Sequence, residues 1–387
     1  MAIETLLFSK IIPLAFAVIG FGALILIHEL GHFFFCKLFG IHTPTFSIGF
    51  GPELLRKKIG DTNFRLALIP LGGYVEIAGQ AEVGQGEQEF ANLRGEHSFE
   101  DKPFWQKLLV MSGGIIFNFI FAYLVFCLLF MVGTSQKPAV FISGMLKSSA
   151  AEKAGLKAGD AIIGINNISL ITQDGKELID NAQLILLENI RKNPLGTVNL
   201  TIERDHISQQ LPVTLNQVME DGQAVGKLGA GLQSTISITS RPFFQAIVEG
   251  VRMTNSWIFN IVTSIKQLFK QKSLEGAGGP VMIMSMSFSA AQHSLLQLLI
   301  FLALISLNLA LMNLLPIGAL DGGQILFFII EAVTRRKIPL VVRNGINVLS
   351  WLFFIGLAVF LTYKDIATLF GESIGKGLKK LAALFSR

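Results

Sequence analysis

The chain has 387 residues, of which 51% are hydrophobic and only 15% charged, with a formal net charge of +5. A mean hydropathy of +0.56 excludes an ordinary soluble enzyme and places the chain with integral membrane proteins. The positive charge is spread along the chain rather than gathered into a basic stripe, which argues against nucleic acid as a partner and for a surface that meets a lipid bilayer.

Four apolar runs are long enough to cross a bilayer core of about 30 Å: Ile11 to Phe35, Leu108 to Val132, Leu295 to Leu315 and Ile346 to Thr362. The first is too long for the apolar core of a signal peptide and lacks a strongly basic start, so it reads as a retained span. Within it stands His28-Glu29-Leu30-Gly31-His32. If the segment is helical, His28 and His32 lie one turn apart on one face and both imidazoles can reach a single metal ion. Glu29 points away from the two nitrogens and suits a general base acting on water that the metal activates. Chance is a poor account, because each ionisable group in a transmembrane helix costs about 2 to 3 kcal/mol unless something binds it. Cys36 and Cys127 lie in or beside apolar runs without CxxC spacing and read as small buried hydrophobes.

Beyond the first span, Thr45 to Ala78 mixes apolar residues with charges, Gly and Pro. This pattern predicts short strands, with Gly72-Gly73 as a turn or a close backbone approach. Strand edges cannot face lipid, so such strands need shelter in protein or in a wet cavity. Gln80 to Lys102 is polar, Gly-rich and acidic and reads as an aqueous loop. The second span carries Gly113-Gly114 and Asn118, which helix packing explains without catalysis. From Pro138 to Gln233 the composition becomes that of a soluble domain, with strands at Val140-Phe141-Ile142, Ala161 to Ile165 and Leu200-Thr201-Ile202, an amphipathic helix over Asn181 to Ile190, and a turn over Gly155 to Asp160. Phe243 to Phe269 has helical apolar spacing and predicts an amphipathic helix at the membrane surface, ended by Gly276 to Pro280. A second basic amphipathic stretch runs from Ile374 to Phe385.

A catalytic zinc takes three protein ligands and leaves a position for water, so an acid or His on another span must complete the set. Asp321 is the first choice, because Pro316 and the glycines Gly318, Gly322 and Gly323 break the chain there and broken helices at membrane depth line sites. Glu331 is the weaker rival.

Taken together, HExxH in the first span, Leu71-Gly72-Gly73-Tyr74, Gly279-Pro280 and the Asn313-x-x-Pro316-x-x-x-x-Asp321-Gly322-Gly323 pattern make the chain resemble the site-2 protease family of intramembrane zinc metalloproteases, closest to the bacterial RseP-like type. The pattern from Ser149 to Asn167 makes the segment from Pro138 to Gln233 resemble, over nearly all of its length, a PDZ domain of the bacterial, permuted type, present in a single copy. The resemblance implies Zn2+ held by His28, His32 and Asp321, water activated by Glu29, and an unwound substrate bound by Asn308 and Asn313, with the strand around Leu71, Gly72, Gly73 and Tyr74 holding it extended. Gly318 stands where the family has a second Pro, and Ile115 where its second-span motif has Pro; these departures bear on loop shape and substrate preference, and no ligand is lost.

The expected fold is a polytopic α-helical membrane protein with four transmembrane helices, a membrane-associated β region and an inserted PDZ-like α+β domain. Residues 1–137 form the N-terminal membrane region, 138–235 the PDZ-like domain, 236–294 the amphipathic interfacial helix and connector, and 295–387 the C-terminal membrane region. The expected activity is hydrolysis of a peptide bond in or near the transmembrane segment of a membrane protein with a single span, in regulated intramembrane proteolysis, with a peptide segment in the PDZ groove. An ion-binding transporter and a non-catalytic membrane PDZ scaffold are the alternatives. Arg335, Arg336, Lys337 and Arg343 between the last two spans point that link to the cytoplasm, which sets the PDZ domain outside, and the resemblance points to a bacterial inner membrane.

Overall fold

The structure is a computed structural model and describes residues 10–80, 90, 92–133, 139–145, 149–157, 159–172, 178, 182–204, 207–220, 223–234, 238–271 and 278–385. The start of the first segment, the centre of the acidic loop and part of the stretch before Pro280 therefore lie outside the described residues. In chain order the elements are α1 (Ile12–Leu38), β1 (Thr45–Ile59), β2 (Thr62–Val75), a 3-10 turn at Phe99–Asp101 and α2 (Phe104–Val132). There follow β3 (Val140–Met145), α3 (Ala150–Lys153), β4 (Ala161–Ile165), β5 (Ile168–Ser169), α4 (Ala182–Arg191), β6 (Thr197–Arg204), β7 (Ile207–Thr214), β8 (Asn216–Glu220), β9 (Gln223–Lys227) and β10 (Ala230–Ser234). The chain closes with α5 (Phe243–Gln271), α6 (Pro280–His293), α7 (Leu295–Asn313), α8 (Asp321–Thr334) and α9 (Leu340–Phe385). Two compact units result, Met1–Phe126 with Gly250–Arg387, and Cys127–Glu249.

Among the described residues, four helices are long and apolar enough to cross a membrane: α1, α2, α7 and residues Leu340–Ala367 of α9. The last is longer than hydropathy suggested, because its helix begins directly after Pro339 and absorbs the polar residues before Ile346. On α1 the buried positions are Pro13, Ala17, Gly20, Gly22, Leu24, His28, Gly31, His32 and Cys36. Most recur every three or four residues, so the two histidines belong to the packed stripe. Phe16, Ile19, Leu30, Phe34 and Leu38 are exposed and form the face suited to lipid.

The predicted short strands are instead two long, bent ones that form an antiparallel pair with several bulges. Ile59 pairs with Thr62 and Lys57 with Phe64, while Phe46 and Ser47 also pair with Val75 and Tyr74. Gly72 and Gly73 lie inside β2 and not in a turn. A Cβ on Gly73 would fall 2.6 Å from Ser47 O, so the close backbone approach is the correct reading. One hydrophobic cluster, including Cys36, Phe46, Val75, Val110 and Phe328, ties the sheet to α1, α2 and α8. Phe99 belongs to it and is buried, as is Ser98. The end of the polar loop is therefore anchored in the core, against the expectation of an aqueous loop throughout, because one buried Phe contributes about 1.5 to 3 kcal/mol.

The connector after α5 also holds more structure than expected. Gly279-Pro280 is the start of α6, with Gly279 at its N-cap and Pro280 in the first turn, a place where Pro is well suited because its missing N–H has no helical partner. Asp365 of α9 is buried and accepts hydrogen bonds from Gly279 N (3.1 Å) and Met282 N (2.8 Å). The carboxylate thus caps α6 from another helix, and α6 packs on α1, α7 and α9.

In the second unit the strands pair in the order β10-β3-β4-β6-β7, with β5 against β4 and β8 with β9. Asn166 (φ 49°) and Asn167 (φ 66°) make the tight turn between β4 and β5, left-handed positions that Asn tolerates. Ile162, Ile165, Leu186, Leu200 and Ile202 are fully buried in its core. Asp160, at the end of the predicted turn, is bidentate to Arg204 of β6 (2.6 Å to each oxygen) and also takes Lys157 N at 2.7 Å.

Asp160→Ala removes both bonds to Arg204, which keeps Gly155 O at 2.9 Å, and the bond from Lys157 N. It is expected to destabilise this unit by about 1 to 3 kcal/mol, seen as faster deuterium uptake in β4 and β6 of the full-length protein. In the first unit, Asp61 in the β1–β2 turn takes Lys37 Nζ at 2.6 Å and His42 Nδ1 at 3.0 Å. The Lys37 bond leads the causes that hold its carboxyl down at about 2. Because the unfolded chain titrates near about 3.9, this tie stabilises the turn above that pH and is lost as the pH falls toward 2. Asp61→Asn at neutral pH is expected to raise deuterium uptake over residues 57–63; unchanged uptake would mean that the tie holds nothing in place.

Candidate metal centre

His28 and His32 are 9% and 6% exposed, and their Nε2 atoms stand 3.3 Å apart. Asp321 Oδ2 lies 3.3 Å from His28 Nε2 and 3.6 Å from His32 Nε2. Tetrahedral zinc with bonds of about 2.0 to 2.2 Å separates its ligand atoms by roughly 3.3 to 3.6 Å. The three donors therefore stand where one such ion would need them, and among the described residues they are the group of three able to hold a metal. Asp321 Oδ2 is buried without a hydrogen-bond partner, which a metal would remedy. Asp321 is the first residue of α8, so it reaches the site only because the chain breaks between Asn313 and Asp321. Glu331, the rival, sits ten residues further along α8 and accepts from Ile338 N at 3.0 Å; it caps the link to α9.

Each imidazole is held from behind by α2. His32 Nδ1 meets Val110 O at 2.7 Å and His28 Nδ1 faces Asn118 Nδ2 at 3.1 Å, which turns both Nε2 atoms to the common point. The approach needs glycine. A Cβ on Gly31 would fall on the Gly113 backbone, and one on Gly114 would lie 2.5 Å from His28 Nδ1 and 2.6 Å from His32 Nε2.

Glu29 is half-buried and accepts a hydrogen bond from Val75 N at 3.2 Å. This places the β2 edge beside the carboxylate. A cavity of about 130 Å³ opens here, lined by His28, Glu29, His32 and Asp321 with Val75, Ile77, Asn347 and Trp351 among its other walls. It has room for several waters at a polar site. Gln324, one turn after Asp321, donates to Gly318 O (2.7 Å) and Asn347 Oδ1 (3.2 Å) and accepts from Arg343 (2.7 Å), joining the broken segment, α8 and α9.

Of the residues expected at the site, His28, Glu29, His32 and Asp321 come together. Gly72, Gly73 and Tyr74 lie on β2 leading to Val75, with Tyr74 Oη accepting from Arg65 at 3.1 Å; Leu71 is in the same strand, its side chain outside the described residues. Asn308 and Asn313 do not line the cavity. Asn308 is exposed on α7 and donates to Leu304 O at 2.9 Å, within its own helix, while Asn313 is buried at the end of α7. The sequence did not reveal the second-rank groups: Asn118, Val110 O, Val75 N, Gln324, Asn347 and Trp351. Among these, Asn118 has a signal in the sequence, as an amide in a span and as the last residue of the second-span family motif that begins at Gly114, though helix packing accounts for it as well.

The sequence pattern described as Peptidase family M50 matches residues 16–357. Among similar proteins, one of Clostridium perfringens whose name carries the words zinc metalloprotease is 32% identical over 91% of this chain and 97% of its own length. One of Campylobacter jejuni, named in the same way, is 33% identical over 90% and 92%. The Arabidopsis thaliana chloroplastic membrane metalloprotease ARASP is 31% identical over 89% of this chain and 77% of its own length.

Asp321→Ala leaves two ligands and is expected to weaken metal binding by more than the 10- to 100-fold typical of losing a supporting hydrogen bond, measured by competition with a chelator. Gly114→Ala drives a methyl into both imidazoles and is expected to abolish stoichiometric binding with the helices intact by circular dichroism; a variant that binds normally would contradict the geometry.

Proposed function

The chain belongs to peptidase family M50, and from that premise we propose that it cleaves a peptide bond in or near the transmembrane segment of a membrane protein, with His28, His32 and Asp321 as zinc ligands and Glu29 as general base. That it is a membrane metalloendopeptidase of the site-2 protease type, zinc-dependent and integral to the membrane, follows from the family. The observation that carries the finer reading is the convergence of the three donor atoms, within 3.6 Å of one another, with Glu29 on the same cavity.

When bound, zinc lowers the pKa of water toward about 7 and polarises the scissile carbonyl. Glu29 takes the proton from the attacking water and hands it to the departing amine, so one C–O bond forms as the C–N bond breaks and the protons balance. Helical substrates hide their peptide bonds behind side chains and internal hydrogen bonds, so the substrate enters unwound and extended. Val75 N points to Glu29 while the next amide, Glu76 N, bonds Thr45 O at 2.8 Å. We place the substrate as an added strand beside Gly73, Tyr74 and Val75, where main-chain bonds set its carbonyl before Glu29. Asn308 and Asn313 enter this scheme only if α7 moves.

The inserted unit, with its five-strand path and α3 and α4, supports assignment as a single PDZ-like domain that takes an extended peptide at a strand edge. The basic link of Arg335, Arg336 and Lys337 supports a cytoplasmic position for that end of the spans and an extracytoplasmic one for the insert, in a bacterial inner membrane, with a single-span substrate in regulated intramembrane proteolysis.

Glu29→Gln keeps the shape and removes the base. It is expected to retain zinc and to lose about 10²- to 10⁴-fold in cleavage of a reconstituted single-span substrate; cleavage at the normal rate would exclude Glu29 as the base.

A further inference from the structure

We infer that Asn118 is a positioning residue for the metal: its side-chain oxygen accepts the Nδ1 proton of His28 and so fixes the imidazole tautomer that leaves Nε2 free to bind zinc. The inference rests on His28 being a zinc ligand.

Asn118 is fully buried in α2, 90 residues from His28 in sequence and 3.1 Å from its Nδ1. The facing atoms are Nδ2 and Nδ1, and Asn118 Oδ1 is buried without a hydrogen-bond partner. A neutral imidazole carries one ring proton. For Nε2 to hold a metal that proton must sit on Nδ1, which then donates and cannot accept from an N–H. Oxygen and nitrogen of an amide differ by a half-turn about its last bond. With the amide so turned, Oδ1 takes the Nδ1 proton and Nδ2 moves to the position that Oδ1 held. The backbone leaves few other solutions, because Ser306 Oγ of α7 donates to Asn118 O at 3.0 Å and pins the residue where α2 meets α7.

The neighbouring ligand shows the same device with a fixed acceptor. His32 Nδ1 meets Val110 O at 2.7 Å, and a carbonyl can only accept, so His32 also presents an unprotonated Nε2. Val110 and Asn118 stand two turns apart on α2, so one helix sets both tautomers. Packing alone, the reading suggested by sequence, asks nothing of the amide beyond its volume; the hydrogen bond asks for an acceptor.

The test uses the full chain in detergent or lipid discs. Asn118→Ala, Asn118→Asp and His28→Ala are compared with the unaltered protein by zinc competition with a chromogenic chelator and by the visible spectrum of the Co2+-loaded protein. Asn118→Ala is expected to bind zinc 10- to 100-fold more weakly with displaced cobalt bands. Asn118→Asp, an acceptor of the same size, is expected to recover most of the affinity. An Asn118→Ala protein with unchanged affinity and spectrum overturns the inference, as does an Asn118→Asp protein no better than Asn118→Ala. If the aspartate variant does not fold, the alanine variant decides by itself. Zinc retained by His28→Ala would overturn the ligand assignment instead, so the two failures are distinct.

Discussion

The backbones of α1 and α2 touch at Gly31 and Gly113, and the centre exists because they do. At that separation an imidazole on one helix reaches groups on the next, so Val110 O and Asn118 can hold His32 and His28. A Cβ on Gly31 would fall 2.1 Å from Gly113 O, so any side chain at the crossing would push the helices apart and stretch those contacts. Close helix contact through small residues is common in membranes; here it also orients the two imidazoles.

The same contact addresses the cost of ionisable groups below the lipid headgroups. His28, Glu29, His32 and Asp321 face each other, the sheet edge or the cavity, and none lies on the exposed stripe of Ile19, Leu30 and Phe34. Sheet and helices depend on one another in turn. The core of Phe46, Val75, Phe99 and Phe328 buries the Thr45–Gly49 end of β1 against the helices, while Phe50 to Ile59 stay exposed.

Much of this was legible in the sequence, for identifiable reasons. HELGH needs only the helical repeat to put two nitrogens on one face, and Asp321 stands where Pro316 and glycine break a span. Apolar runs of this length have few alternatives to crossing the bilayer. What escaped was set by distant partners. Hydropathy does not say that β1 and β2 fold back on themselves through bulges, or that Asn118 meets His28. Gly279-Pro280 serves equally as a stop and as a start, and only Asp365, far along the chain, decides that it opens α6. The exposure of Asn308 follows from which face of α7 packs, and in so apolar a helix no periodicity marks that face.

Asp365 has a practical meaning for anyone shortening the protein. The last long helix looks dispensable, since residues Leu340–Ala367 bury almost none of their side chains. Yet its one buried carboxylate completes the N-terminus of α6, and α6 leans on the helix that carries both histidines. A truncation that removed Asp365 would leave two backbone donors of α6 without their partner and loosen the packing against the helix that carries both histidines. A shortened chain that keeps Asp365 within α9 keeps both of these hydrogen bonds.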